Sequence, residues 1–349
     1  MNDNNKNDKK IRVAITQGDL NGVGYEVILK TFGDSRMYEF CTPVLYGSTK
    51  VASYHKKLLT SMPQEIQFNA IRTAAEAADG RFNVINLTQE EIKIDLGKST
   101  EVAGALSRES LNRACADLKK GDVDVLVTAP INKRNIQAPD FDFPGHTEYL
   151  SHQFGSSSLM LMVCDRIRIG IVTNHLALKD VPSALTHDLL LEKMMLLNQS
   201  LRRDFGITTP KIAVLALDPH AGDNGVIGDF DQKVIRPVID EVQSKGVLAY
   251  GPFPSDGFFG SSEFNKFDGV LALYHDQGLI PFKLMSFTEG VNYTAGLPYV
   301  RTSPAHGTGY DIAGHDRASE QSFRSAVYLA CNVMRNRREY DELTANPLR

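Results

Sequence analysis

The chain has 349 residues, 42% hydrophobic and 23% charged, enough for one large core or two domains of an ordinary globular protein. A net charge of −4 gives no electrostatic reason to expect a nucleic acid or a membrane surface as partner, and no apolar run reaches bilayer-spanning length. Cys41, Cys115, Cys164 and Cys331 are scattered without a CxxC pair, which argues for buried free thiols in a reducing cytoplasm and against a disulfide framework or a cysteine zinc site.

Met1 to Lys10, rich in Asn, Asp and Lys, lacks the apolar stretch of a signal peptide and reads as a disordered lead-in. Ile11–Thr16 is strand-like and opens onto the turn Gly18-Asp19-Leu20-Asn21-Gly22-Val23-Gly24, followed by a helical pattern through Thr31. Leu20 stands where a GxGxxG fingerprint needs its second glycine, so a Rossmann site is a weak reading. Pro43–Gly47 is a second strand, with a helix from Ser48, and Val84–Leu87 is a third. Gly97-Lys98-Ser99-Thr100 is not a P-loop, because Ile92 occupies the place of the required first glycine and no apolar strand precedes it; Thr100 instead caps a helix running to Lys120.

Val123–Val127 is a strand, and Gly145-His146-Thr147-Glu148 leads into a helix. Leu159–Val163 and Ile167–Thr173 read as a hairpin around Asp165-Arg166, ending at Asn174-His175. His187–Phe205 is helical, Ile212–Leu217 is a core strand ending in Asp218-Pro219-His220, and Gln232–Ser244 is helical. Gly251–Asp256 reads as a turn-rich loop, Gly269–Tyr274 as a core strand and Ser319–Arg335 as the last helix, with a frayed tail beyond Ala345. Strands alternating with helices predict an α/β protein with a largely parallel sheet.

Three histidines share one grammar: His175, His220 and His275 each follow a predicted strand, where open α/β sheets bind ligands. Three imidazoles leaving an open position make a catalytic Zn²⁺ shell. His55, His152 and His187 have no such setting and read as ordinary surface or hydrogen-bonded residues. His146-Thr147 before a helix suits a phosphate, and Lys283 and Arg301 suit a substrate carboxylate or phosphate.

The motifs Tyr274-His275-Asp276-Gln277-Gly278-Leu279-Ile280-Pro281-Phe282-Lys283, Asp218-Pro219-His220-Ala221-Gly222 and Pro144-Gly145-His146-Thr147-Glu148 closely resemble those of the 4-hydroxythreonine-4-phosphate dehydrogenase family. So do Val291-Asn292-Tyr293-Thr294-Ala295-Gly296-Leu297-Pro298 and Arg301-Thr302-Ser303, and the resemblance runs from about Ile11 into the last helix. It implies an isocitrate/isopropylmalate dehydrogenase-like α/β fold, two α/β/α domains with a cleft between them. The expected division is a lead-in at 1–10, an outer domain of 11–130 plus 305–345, and a central domain of 131–304 carrying the metal and substrate site and the dimer contacts.

The resemblance further implies a cytoplasmic homodimer with its active site at the subunit interface, using NAD or NADP and one divalent metal (Zn, Co, Mg or Mn). His175, His220 and His275 match the metal ligands, one expected from the neighbouring subunit. His146, Thr147, Lys283, Asn292 and Arg301 match the substrate-binding residues; Lys283 and Asp256 are the catalytic candidates. His306, Gly307, Thr308 and Asp311 resemble the dinucleotide loop of isopropylmalate dehydrogenases. The chain departs from the family pattern at Leu20, Asn21 and Tyr25 in the first loop, at Gly257, and at Ala305 before His-Gly-Thr.

The implied reaction oxidises the C3 hydroxyl of 4-phosphooxy-L-threonine, a small phosphorylated hydroxy amino acid, in pyridoxal 5′-phosphate synthesis. Alternatives are a D-threonate or D-erythronate 4-phosphate dehydrogenase of the same family, a metal-dependent phosphatase or aldolase without nicotinamide, and a non-catalytic phosphometabolite-binding protein.

Overall fold

A computed structural model describes residues 10–61, 66–286 and 288–345, so the lead-in before Lys10 and the tail beyond Ala345 lie outside the described residues. The chain divides into two compact units, Met1–Tyr149 with Tyr299–Cys331, and Leu150–Pro298 with Asn332–Arg349.

The first unit is built on β1 (Ile11–Thr16), β2 (Cys41–Gly47), β3 (Phe68–Ile71), β4 (Phe82–Asn86) and β5 (Val125–Thr128). The second carries β6 (Leu159–Val163), β7 (Arg168–Ile171), β8 (Lys211–Leu215), β9 (Leu248–Phe253), β10 (Gly269–Ala272) and β11 (Val291–Ala295), after which β12 (Val300–Pro304) returns to the first. In the first unit the order is β3-β4-β2-β1-β5-β12, parallel throughout. Strands β1, β2 and β5 at its centre are almost wholly buried and mainly apolar, as in a parallel sheet covered on both faces. Helix Gly24–Phe32 is buried along its whole length. The predicted cap holds: Thr100 Oγ1 accepts the Ala103 N–H at 3.3 Å and starts helix Glu101–Lys120, which Gly121 ends at φ 78°.

In the second unit the order is β11-β6-β7-β10-β8-β9. β7, β10, β8 and β9 are parallel, while the predicted β6–β7 hairpin and the β6–β11 pair are antiparallel, so this sheet is mixed. Asp204 anchors its core. The carboxylate accepts from Ser200 Oγ (2.6 Å), Tyr293 Oη (2.6 Å) and Arg337 Nε (2.7 Å), all buried. A buried carboxylate persists only when so fully satisfied.

Several segments differ from the sequence reading. Gly251–Phe253, expected in a loop, is the end of β9; its Gly-Pro pair reads as a turn but is tolerated on an outermost strand. Ser255–Gly260 is then a short helix. β3, β11 and β12 carried no strong strand signal; β12 is fully buried yet reads Val-Arg-Thr-Ser-Pro. The last helix is Gln321–Ala345, continuing past Arg335 because Arg337, charged in the sequence, is a core residue at 5% exposure.

The units also divide elsewhere than the expected 131–304 centre. Residues 131–149 group with the first unit, where Gly104 meets the Asn135 carbonyl, Arg108 donates to Ile136 O (2.9 Å) and Asn132 to Tyr310 Oη (3.0 Å). β12 groups there through its pairing with β5, and the end of the last helix groups with the second unit through Arg337.

The four cysteines are buried and in no disulfide, and among the described residues no helix is long and apolar enough to cross a membrane. His55 is buried too. It stacks on Tyr25 at 5.0 Å, and its Nε2–H donates to Leu20 O at 2.9 Å. Burial pushes its pKa down from the ordinary 6.5 to about 4. Below pH 6.5 the unfolded chain takes up this proton and the folded chain refuses it until about pH 4. Stability from this group is therefore complete above pH 6.5 and declines by about 3 kcal/mol by pH 4. His55→Gln keeps a donor for Leu20 O without a titrating ring, so its melting temperature is expected to fall less over that range than that of the native chain. Parallel curves would refute the assignment.

Candidate active site

β7 and β10 run parallel and end together: Val172 N–H donates to Ala272 O (2.9 Å) and Thr173 Oγ1 to Leu273 O (2.8 Å). His175 lies two residues past Thr173 and His275 two past Leu273, so the alignment brings the imidazoles together, ring centroids 6.0 Å apart. His275 opens helix His275–Met285. Gly278 lets that helix settle on the sheet, since a Cβ there would lie 2.3 Å from Ile171 Cδ1. His275 Nδ1 faces the Asp276 carboxylate at 2.7 Å, which fixes the ring and leaves Nε2 for a ligand.

Gln277, unremarked within its motif, ties this corner together. Its Oε1 accepts from Leu273 N (2.7 Å), and its Nε2 donates to Ala216 O (2.7 Å) and Ser255 Oγ (2.9 Å). One buried amide thus joins the ends of β10 and β8 to the Pro254-Ser255-Asp256 turn. Asp256 itself is exposed at the start of helix Ser255–Gly260.

His220 follows β8 on an exposed turn, Pro219–Gly225. Among the described residues, no three His, Cys, Asp or Glu side chains converge as a metal shell, so His220 does not complete a set with His175 and His275 within one chain. The pair itself fits a divalent cation in donor chemistry, with imidazole nitrogens suited to Zn²⁺ or Co²⁺. Lys283 lies eight residues along the helix from His275, about 12 Å of rise, and is exposed. Asn292, on β11, keeps a buried Oδ1 without a hydrogen-bond partner.

In the first unit a second group of predicted residues gathers. His146 begins helix His146–Phe154, Thr147 is 6% exposed, and Arg301 on β12 is 2% exposed. Arg301 donates to Thr128 Oγ1 from Nε (3.2 Å) and Nη2 (2.7 Å). Burial lowers its pKa to about 10, with the Glu148 charge opposing the shift. His146 Nε2 is buried without a partner, and burial, then the charges of Arg301 and Lys133, hold the ring neutral. Lys133 and Glu148 were not singled out as site residues, yet both flank Gly145: a Cβ there would meet Glu148 Oε2 at 3.4 Å and Lys133 Cε at 3.8 Å. A guanidinium, an ammonium and an imidazole nitrogen without a partner at a helix start are donor chemistry suited to an anion, with the Glu148 carboxylate beside them.

The two glycine-rich loops interlock in the same unit. Val23 N–H donates to Thr308 O (2.9 Å), and a Cβ on Gly22 would lie 2.5 Å from that oxygen. Asp19 Oδ2 accepts from Tyr310 Oη (2.7 Å) and Asn135 Nδ2 (2.8 Å). His306 donates from Nδ1 to Gly307 O and keeps a buried Nε2 without a partner, while Asp311 is exposed. An orphaned ring nitrogen beside backbone that only glycine permits fits a loop that receives a planar ligand. The family departures are absorbed structurally: Asn21 bonds Lys98 O and Thr100 Oγ1, and Tyr25 bonds Gln17 and the Ser48 N–H.

A family model described as pyridoxal phosphate biosynthetic protein PdxA matches residues 39–330. A 4-hydroxythreonine-4-phosphate dehydrogenase of Bacteroides thetaiotaomicron is 50% identical over 344 residues, 98% of this chain and 94% of its own. The crystal structure of a 4-hydroxythreonine-4-phosphate dehydrogenase from Klebsiella pneumoniae, 31% identical, matches with a TM-score of 0.80, covering 93% of this chain and 100% of that one. Isocitrate dehydrogenase from Methylococcus capsulatus, 8% identical, matches with a TM-score of 0.50 over 96% of this chain and 89% of that one, a likeness of fold alone. The fold is the isocitrate dehydrogenase-like α/β class expected from the motifs.

Proposed function

Because this chain belongs to the PdxA family of pyridoxal phosphate biosynthetic proteins, we infer that it is an oxidoreductase that dehydrogenates 4-hydroxythreonine 4-phosphate on the way to pyridoxal phosphate. The observation that carries the reading to chemistry is the His175–His275 pair at two aligned strand ends.

In this reading His175 and His275, with His220 supplied by a second copy, hold one divalent metal, Zn²⁺ or Co²⁺ by ligand softness. Held there, a divalent metal would supply Lewis acidity for the substrate hydroxyl. His146, Thr147, Lys283, Asn292 and Arg301 bind the substrate's phosphate and carboxylate, with the neutral His146 ring donating from the nitrogen its tautomer protonates. The loop bearing His306, Gly307, Thr308 and Asp311 would hold NAD or NADP, which would supply the hydride acceptor.

Hydride leaves C3 and the hydroxyl proton passes to a base, for which Lys283 is the candidate and Asp256 an electrostatic support. The product, 2-amino-3-oxo-4-phosphooxybutanoate, has a carboxylate β to a ketone. Cleavage of that C–C bond releases CO₂, and protonation of the remaining carbon gives 3-amino-2-oxopropyl phosphate. Arg301 holds the anion while this happens and excludes bulk water by its own burial.

A homodimer in the cytoplasm completes the reading. Ile280 (59% exposed) and Leu284 (84%) lie four residues apart on one face of the His275 helix, apolar area suited to a protein contact, and Lys283 stands beside them. Following reduced-nicotinamide absorbance with 4-phosphooxy-L-threonine and with D-threonate 4-phosphate, each with NAD⁺ and NADP⁺, tests it. Metal-dependent turnover of the amino acid is expected. Turnover of the sugar acid alone would move the substrate assignment, and silence with both in a folded, metal-loaded dimer would overturn it.

A further inference from the structure

The turn that carries His220 has an unusual backbone. His220 (φ 54°), Ala221 (53°), Gly222 (77°), Asp223 (44°) and Asn224 (54°) are left-handed in succession. A left-handed turn costs roughly 1–2 kcal/mol for each residue with a Cβ; glycine escapes the cost and Asp or Asn bear it best. His220 and Ala221 have neither exemption, so the surroundings must hold them there.

The restraint comes from beneath. Asp231 is fully buried, and its carboxylate accepts the Leu217 N–H (2.8 Å) on one oxygen and the Asp218 N–H (2.9 Å) on the other. These are the last backbone donors before His220, since Pro219 has none. The turn closes on itself through Ile227 N–H to Gly222 O (3.1 Å) and Val226 N–H to Asp223 O (3.1 Å). Gly228 lies against the Asp218 side chain, where a Cβ would be 2.1 Å from Oδ2, and Gly222 lies against Gly228 O, where a Cβ would be 2.2 Å away.

We propose that Asp231 is a positioning residue for the dehydrogenase reaction: its carboxylate clamps the two amides that enter the left-handed turn and so presents the His220 ring preorganised to the metal. The proposal rests on the reading of His220 as a metal ligand. The chemistry selects a carboxylate. Two parallel N–H groups need two adjacent acceptors, and asparagine would turn an NH₂ donor towards one of them.

The test is a Co²⁺ titration of the full-length metal-stripped protein, read by the visible absorption of bound cobalt, on the native chain, Asp231→Asn, Gly228→Ala and His220→Ala. Melting temperature, kcat and KM are measured alongside. Folded Asp231→Asn is expected to bind Co²⁺ 10–100-fold more weakly, the usual size for a residue that orients a ligand, with kcat restored at saturating metal. A merely structural role would lower the melting temperature and leave Co²⁺ affinity of the folded protein unchanged, which overturns the proposal if His220→Ala is weakened. Should Asp231→Asn fail to fold, Gly228→Ala displaces the turn with Asp231 intact; the same loss is expected, and native affinity in it overturns the proposal. Native Co²⁺ affinity in His220→Ala would instead remove the ligand assignment on which it rests.

Discussion

Replacing His275 with alanine is expected to lower kcat/KM by about 1,000-fold, some 4 kcal/mol of transition-state stabilisation. The ring is placed by three independent features: the shared ends of β7 and β10, the helix start, and the Asp276 carboxylate at 2.7 Å from Nδ1. Its side chain is 39% exposed and fills no core space, so the fold is expected to survive the change. The loss should therefore appear with an unaltered melting temperature and an unaltered mass in solution, and it should match the loss on chelation of the native protein. Excess Zn²⁺ would restore the chelated native enzyme and leave His275→Ala inactive. Full activity of His275→Ala, or of the native protein after chelation, would refute the metal reading.

Arg301→Met is expected to cost about as much, a 100- to 1,000-fold fall in kcat/KM dominated by a rise in KM. Truncating one partner of a buried charge-assisted contact costs roughly 2–5 kcal/mol. Methionine approximates the length of the side chain without the charge. Stability is the discriminating readout. At 2% exposure the guanidinium is held at a desolvation cost that pulls its pKa down to about 10, and Glu148 offsets part of it. Replacing a whole buried ion pair by apolar groups is often neutral or stabilising, whereas removing one partner destabilises; burial outweighs the Glu148 charge at Arg301, so the desolvation relieved in Arg301→Met offsets part of the loss. A melting temperature near the native value with substrate binding lost identifies Arg301 as a group kept for its ligand. A large fall in melting temperature with KM unchanged would make it a core residue instead.

Much of this was legible in order along the chain, because local chemistry decides it. Apolar runs such as Ile11–Thr16 and Ile212–Leu217 marked buried parallel strands, Thr100 marked a helix start through its hydroxyl, and Asp165-Arg166 marked a hairpin. The histidines after strand ends were visible by position alone, and the long motifs gave the family. What was missed lacked a local signal. β12 is buried yet mostly polar, since Arg301 and Thr302 are satisfied by residues remote in sequence, Thr128 and Ala326. The last helix runs on through a charged stretch because Arg337 finds Asp204 from another helix.

The sequence by itself determined the family, most elements of the fold and the identities of the chemical groups, because these follow from residue type and near neighbours. Only the tertiary structure decided which groups meet. It joined His175 to His275 through the register of β7 and β10, and it kept His220 out of that pair within one chain. It placed Lys133 and Glu148 about Gly145 and interlocked the loops at Gly22 and Thr308. It also placed Asp231 under a turn whose left-handed backbone no composition announces. Contacts between residues far apart in the chain depend on strand register and packing, and those are properties of the folded whole.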